Sequence, residues 1–207
     1  MRYCTDIVNK INKDLKKILG PDFNLLELPG QHHIRLFKTV GISEAVNRIN
    51  ESPVKVFKWF DTYWLYLEVK FVTSGKGKNF QPNTLISLSV YDGDEFDEKK
   101  TQLFRAEWDD MNNQSEVHSQ PHWHITSNQA LERIFNDYVD DSDYDYLVPF
   151  FKLEKSKIID VDKLHFAMNG NWQNNDSHIH KIESPEQITS WLKGLLMHIR
   201  TELENIR

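Results

Sequence analysis

Histidine carries most of the chemistry this chain can offer. Nine occur, and eight of them fall in four pieces: His32-His33; His118 with His122 and His124; His165; and His178 with His180. In His122-Trp123-His124, alternate residues of a strand point the same way, so two imidazoles share one face. Such a pair binds a divalent metal such as zinc, or divides acid and base roles on a phosphate ester. A strand through Phe104, Ala106 and Trp108 places Arg105 and Glu107 on its other face, and His165 alternates likewise within Leu164 to Met168. Arg105, Glu107, His122, His124 and His165 are therefore the candidate catalytic set, the arginine holding an anion beside the histidines. His118, His122 and His124 are the candidate metal ligands. A sheet with one solvated face puts polar residues at these same positions without any function.

Two short motifs bear on that chemistry. His122-Trp123-His124-Ile125 resembles the histidine-triad motif of nucleotide hydrolases over Gln120 to Thr126, but Gln120 or Thr126 stands where a third histidine belongs. Trp123-His124-Ile125-Thr126 resembles one half of the two-histidine phosphoesterase signature. The second half would be Leu164-His165-Phe166-Ala167, with alanine in place of the hydroxyl residue. Both resemblances imply phosphoester chemistry, and neither assigns a family.

Other patterns fail on inspection. Asp141, Asp143 and Asp145 repeat like the first ligands of an EF-hand, but Tyr146 replaces the glycine and Lys152 the bidentate glutamate. That acidic stretch is expected to be a solvated loop. Ser74-Gly75-Lys76-Gly77-Lys78-Asn79 lacks P-loop spacing. His198 falls on the apolar side of a helix, where a core or interface role is expected. Cys4, the single cysteine, excludes an internal disulfide and a cysteine-based zinc cluster.

The elements that must position the histidines follow from periodicity. Ile7, Ile11, Leu15 and Ile18 recur at helical spacing and Gly20-Pro21 ends the run. Strands are expected at Phe23–Leu28 and His33–Val40, and a short helix from Ser43 to Asn50, closed by Pro53. Tyr63 to Phe71 and Ile86 to Tyr91 alternate with a period of two, Asp92-Gly93 marks a turn, and His122 to Thr126 continues the sheet. A helix is expected from Ser127. Ser184-Pro185-Glu186-Gln187 combines an N-cap, a first-turn proline and a capping-box glutamine before the stripe Ile188, Trp191, Leu192, Leu195, Leu196, Ile199 and Leu203. The fold class expected is α+β: a mostly antiparallel sheet packed against N-terminal and C-terminal helices, all of 1–207 forming one domain.

With 207 residues, 39% hydrophobic and 27% charged, the composition is that of a globular protein. A net charge of −6 argues against non-specific nucleic-acid binding except through a local basic patch. No apolar run is long enough for a signal peptide or a membrane span, so a soluble cytoplasmic protein is expected. Lacking a complete catalytic motif or cofactor fingerprint, the sequence favours an accessory or regulatory subunit that works through a protein partner and needs no cofactor. Its Asn-, Lys- and Ile-rich wording fits a microbial multi-gene system of the defence type. The alternative is a histidine-dependent or metal-assisted phosphoester hydrolase or nuclease. Convergence of His124, His165 and Arg105 in one concavity, as against their scattering, is what separates the two.

Overall fold

A computed structural model describes residues 2–30, 33–47, 52–73, 82–97, 100–110, 120–125, 149, 182 and 184–206. Helix α1 (Arg2–Leu19) leads into eight strands, β1 (Leu25–Leu28), β2 (Ile34–Thr39), β3 (Ser43–Asn47), β4 (Ser52–Phe60), β5 (Tyr63–Val72), β6 (Asn83–Asp92), β7 (Thr101–Asp109) and β8 (His122–Ile125). Helix α2 (Pro185–Ile206) follows. The expected helix after Ser127, the acidic segment Asp137 to Asp145, the strand around His165, the Ser74–Asn79 loop, and His32, His118, His178 and His180 lie outside the described residues. No described helix is long and apolar enough to cross a membrane.

The strands form one antiparallel sheet in the order β1-β2-β5-β6-β7-β8, and β4 shares an edge of β5 with β2. The α+β class, the antiparallel sheet and the two terminal helices thus stand. One face of the sheet is apolar, as the period-two reading requires. Leu65, Leu67 and Val69 of β5, Ile86, Leu88 and Val90 of β6, and Phe104 and Ala106 of β7 join one buried cluster. Ile7, Ile11 and Leu15 of α1 and Ile188, Leu192 and Ile199 of α2 belong to the same cluster.

Local signals fix both helices. Gly20, at φ +101°, takes the left-handed position after α1 and donates its N–H to the Lys16 carbonyl at 3.1 Å. At α2 the capping box forms in both directions. Gln187 N–H donates to Ser184 Oγ (3.3 Å) and Ser184 N–H to Gln187 Oε1 (3.2 Å).

Between the helices, Asp14 is buried, with Lys10 at 3.2 Å, Lys17 at 3.3 Å and Lys193 at 3.9 Å. The Lys10 ammonium, aided by Lys17 and Lys193, holds this carboxyl below the usual range against the opposing effect of burial. A depressed folded pKa contributes stability that is present above the unfolded value, about 4, and is lost as pH falls through the folded value. Asp14→Asn should therefore lower the melting temperature at neutral pH, with the gap to wild type closing as acid protonates the wild-type carboxyl. Melting curves from pH 7 down to pH 2 read this directly, and a gap constant with pH would refute it.

The predicted helix from Ser43 is a correction. Ser43–Asn47 is strand β3, paired antiparallel with β4 so that Ala45 faces Val54 and Val46 faces Pro53. Pro53, expected to stop a helix, sits inside a strand. Long-range burial overrides the local pattern here, because Ala45, Val54 and Val56 build a second core with Trp64, Tyr66 and Tyr91. Those three aromatics lie on the sheet face opposite the first cluster, so the β3–β4 hairpin covers one end of that face. It crosses closely. A Cβ at Gly41 would stand 2.4 Å from the Val56 carbonyl, and Ala45 bridges to Lys100 ahead of β7. The rest of the face carries the histidines.

Candidate metal centre

Strand register assembles the site. Arg105 stands opposite His124 and Glu107 opposite His122 across β7 and β8. Since side chains alternate, all four project from the face away from the helices. Trp123, between the two histidines, turns the other way and meets the Phe104 ring edge-on at 5.7 Å. The start of β8 is tied down by Gln120, whose Oε1 accepts the Asp109 N–H at 2.9 Å.

Three donor atoms converge. His122 Nε2 and His124 Nε2 lie 2.7 Å apart, and Glu107 Oε2 is 3.1 Å from the second and 3.7 Å from the first. A circle through three atoms so spaced has a radius of about 1.9 Å, close to the usual zinc–nitrogen and zinc–oxygen length of about 2.0–2.1 Å, so the three donors fit one ion. Nitrogens at that separation need one proton between them, or a cation near both. Two imidazoles and one carboxylate are donors that would suit an ion of the zinc type.

Arg105 is engaged with the carboxylate. Its Nε lies 2.9 Å from Glu107 Oε1 and its Nη2 donates to Oε2 at 3.1 Å, which fixes the carboxylate beside the imidazoles. The side chains of Arg105, Glu107 and His122 are 11%, 16% and 19% exposed, against 43% for His124. Solvent therefore reaches the cluster from the His124 side.

Beyond β7 the polar face continues through Ser87 and Ser89 of β6 to Glu68 and Tyr66 of β5. The Tyr66 hydroxyl donates to Glu68 Oε2 at 2.7 Å, and Lys38 pairs with the same oxygen at 3.3 Å. Burial pushes the Tyr91 phenol up to about 12, against the opposing pull of Ser89 and Arg105, and burial beside Glu68 raises Tyr66 further. Both phenols stay protonated at neutral pH.

No protein-family model matches the chain, and no solved structure does. Among curated proteins, N-(5'-phosphoribosyl)anthranilate isomerase of Aquifex aeolicus (strain VF5) is 32% identical over 78 residues, which are 36% of this chain and 38% of that enzyme. The chain thus spans well under half of that relative, and no family follows from so short a match.

Of the residues singled out from the sequence, Arg105, Glu107, His122 and His124 come together, while His118 and His165 lie outside the described residues. Among the described residues, the third donor beside the two imidazoles is Glu107. His33, just before β2, and His198, on α2, lie away from the site. The row Lys38–Glu68–Ser87–Glu107–His122 was not anticipated. Its signal was the alternation of β5 and β6, but the register that aligns the row is not written in either strand alone.

Proposed function

We propose that this chain is a metal-dependent phosphoester hydrolase, with a divalent ion of the zinc type held by Glu107, His122 and His124. The observation that supports this reading most is the convergence of Glu107 Oε2 and the two Nε2 atoms around one point at bonding distance from all three. Two imidazoles and a carboxylate suit zinc, iron, nickel or manganese better than calcium. Such an ion supplies a Lewis acid and lowers the pKa of bound water toward neutrality. A phosphoester at this face would be cleaved by attack of water on phosphorus as the ester P–O bond breaks, the proton of the water passing to the departing alkoxide. Arg105, while orienting Glu107, offers its remaining N–H groups to a phosphoryl oxygen.

Untagged protein is expected to carry near-stoichiometric metal by plasma mass spectrometry and to hydrolyse bis(p-nitrophenyl) phosphate. A chelator should abolish turnover, and added zinc or manganese should restore it. Turnover that survives chelation would replace the metal with the histidine pair alone. Metal-free protein without hydrolysis would sink the enzyme reading.

A second reading, a non-catalytic accessory or regulatory subunit, draws on a different surface. Phe96 is 94% exposed at the tip of the β6–β7 connection, which is rare for an aromatic with no partner to meet.

A further inference from the structure

The β6–β7 connection sets a single aromatic in an acidic turn, Asp94-Glu95-Phe96-Asp97. A turn of that composition is ordinarily soft, but this one is clamped from inside. Lys100 is 3% exposed, and its ammonium donates to the carbonyls of Asp94, Asp97 (2.8 Å) and Glu95 (3.3 Å). It also lies 4.8 Å over the ring of the fully buried Trp64. Asp97 Oδ2 accepts the Asp94 N–H at 2.6 Å, and the Gly93 N–H donates to Thr62 at 3.0 Å. Burying an ammonium is costly unless its three hydrogens and its charge are met, and here loop carbonyls and a ring meet them.

What the clamp holds in place is Phe96, 94% exposed. Beside the turn opens a hollow of about 420 Å³ whose apolar lining is Ile42, Ala45, Val46 and Pro53 and whose acidic lining is Glu44 and Asp97. Ile42 at its rim is 78% exposed. The hollow is large enough for one bulky side chain. Charge on this corner leans acidic: Asp94, Glu95 and Asp97 supply carboxylates, while Glu44 is paired with Lys55 at 2.6 Å, Lys58 donates to the Asp61 carbonyl and Lys100 is buried.

We infer that this corner docks a basic polypeptide segment of another protein. A large apolar side chain of the partner enters the hollow beside the turn that carries Phe96, and flanking lysines or arginines meet the carboxylates. Charge complementarity selects that occupant. A second copy of the chain, related by a two-fold axis, would set the same carboxylates against themselves, and nucleic acid would be repelled. An exposed aromatic on a backbone-clamped turn beside a cavity is the usual form of an interface anchor. The inference stands apart from the metal centre, which lies on β7 and β8.

The test is fluorescence anisotropy with a labelled peptide of lysine, arginine and glycine carrying one central leucine. Binding in the range of tens of micromolar is expected, weakening as salt rises. Phe96→Ser, Glu95→Lys, or serine for the peptide's leucine should each weaken it about tenfold, as the loss of one anchor does. Both protein positions are exposed, so the variants should fold, which circular dichroism verifies. Binding unchanged in Phe96→Ser, or absent at millimolar peptide, overturns the inference. So does a concentration-dependent dimer in sedimentation that Phe96→Ser abolishes, since a second copy would then be the occupant. His124→Ala protein should bind the peptide as wild type does, which separates this outcome from the fate of the metal centre.

Discussion

Trp64→Ala is expected to cost about 3–5 kcal/mol of stability, enough to leave a domain of ordinary stability close to unfolding. Trp64 is fully buried in the second core with Ala45, Val54, Val56, Tyr66 and Tyr91. Its Nε1 donates to the Gly93 carbonyl at 2.8 Å, and the ammonium groups of Lys58 and Lys100 lie 4.5 Å and 4.8 Å from its ring. Truncation would leave a cavity under the β3–β4 hairpin. It would also take the ring from a buried ammonium whose other partners are loop carbonyls. Urea denaturation measures the loss. Trp64→Phe, which keeps most of the volume but not the N–H, should lose less than half as much. A loss below 1 kcal/mol for the alanine variant would mean that the hairpin does not depend on this core.

The contrast between α2 and β3 explains how much of the fold was legible. The α2 signals are local: a serine, a proline and a glutamine within four residues, then a stripe that repeats every turn, and all of them act as read. β5, β6 and β7 were legible for a similar reason, since alternation is visible within each strand. Ser43–Asn47 misled because its five residues carry little pattern of their own. What makes them a strand is the pairing of Ala45 with Val54 and the burial of both over Trp64, partners nine residues and more away. In β4, Val54 and Val56 alternate with Lys55, but the pattern is short and Pro53 ahead of it reads as a breaker.

The site was legible as a face but not as a cluster. Alternation alone put Arg105 and Glu107 on one side of β7 and His122 and His124 on one side of β8. Which residues meet depends on register across the intervening connection. A slip of two residues would keep every polar group on the same face yet separate Glu107 from His122. Nor could spacing foresee that Lys100, one of a charged pair with Lys99, would be buried while Phe96 would be exposed.

Register also determines the largest functional effect to be expected. His124 is the most exposed of the three donors, so His124→Ala removes a ligand without opening the core. The metal-free variant should unfold within about 0.5 kcal/mol of metal-free wild type, as surface substitutions do. With metal the two proteins should part. Zinc at a thousand times its dissociation constant stabilises the native state by about 4 kcal/mol, a rise that thermal melting reads easily in wild type. In His124→Ala two donors remain, and that rise, the bound metal and the phosphodiesterase turnover should all be lost by at least about a hundredfold. Arg105→Lys should fall between, because a single ammonium cannot hold both oxygens of Glu107 as the guanidinium does. If zinc stabilises His124→Ala as it does wild type, any bound ion sits elsewhere. The imidazole pair is then an ordinary part of a polar sheet face, and the weight of function shifts to the corner around Phe96.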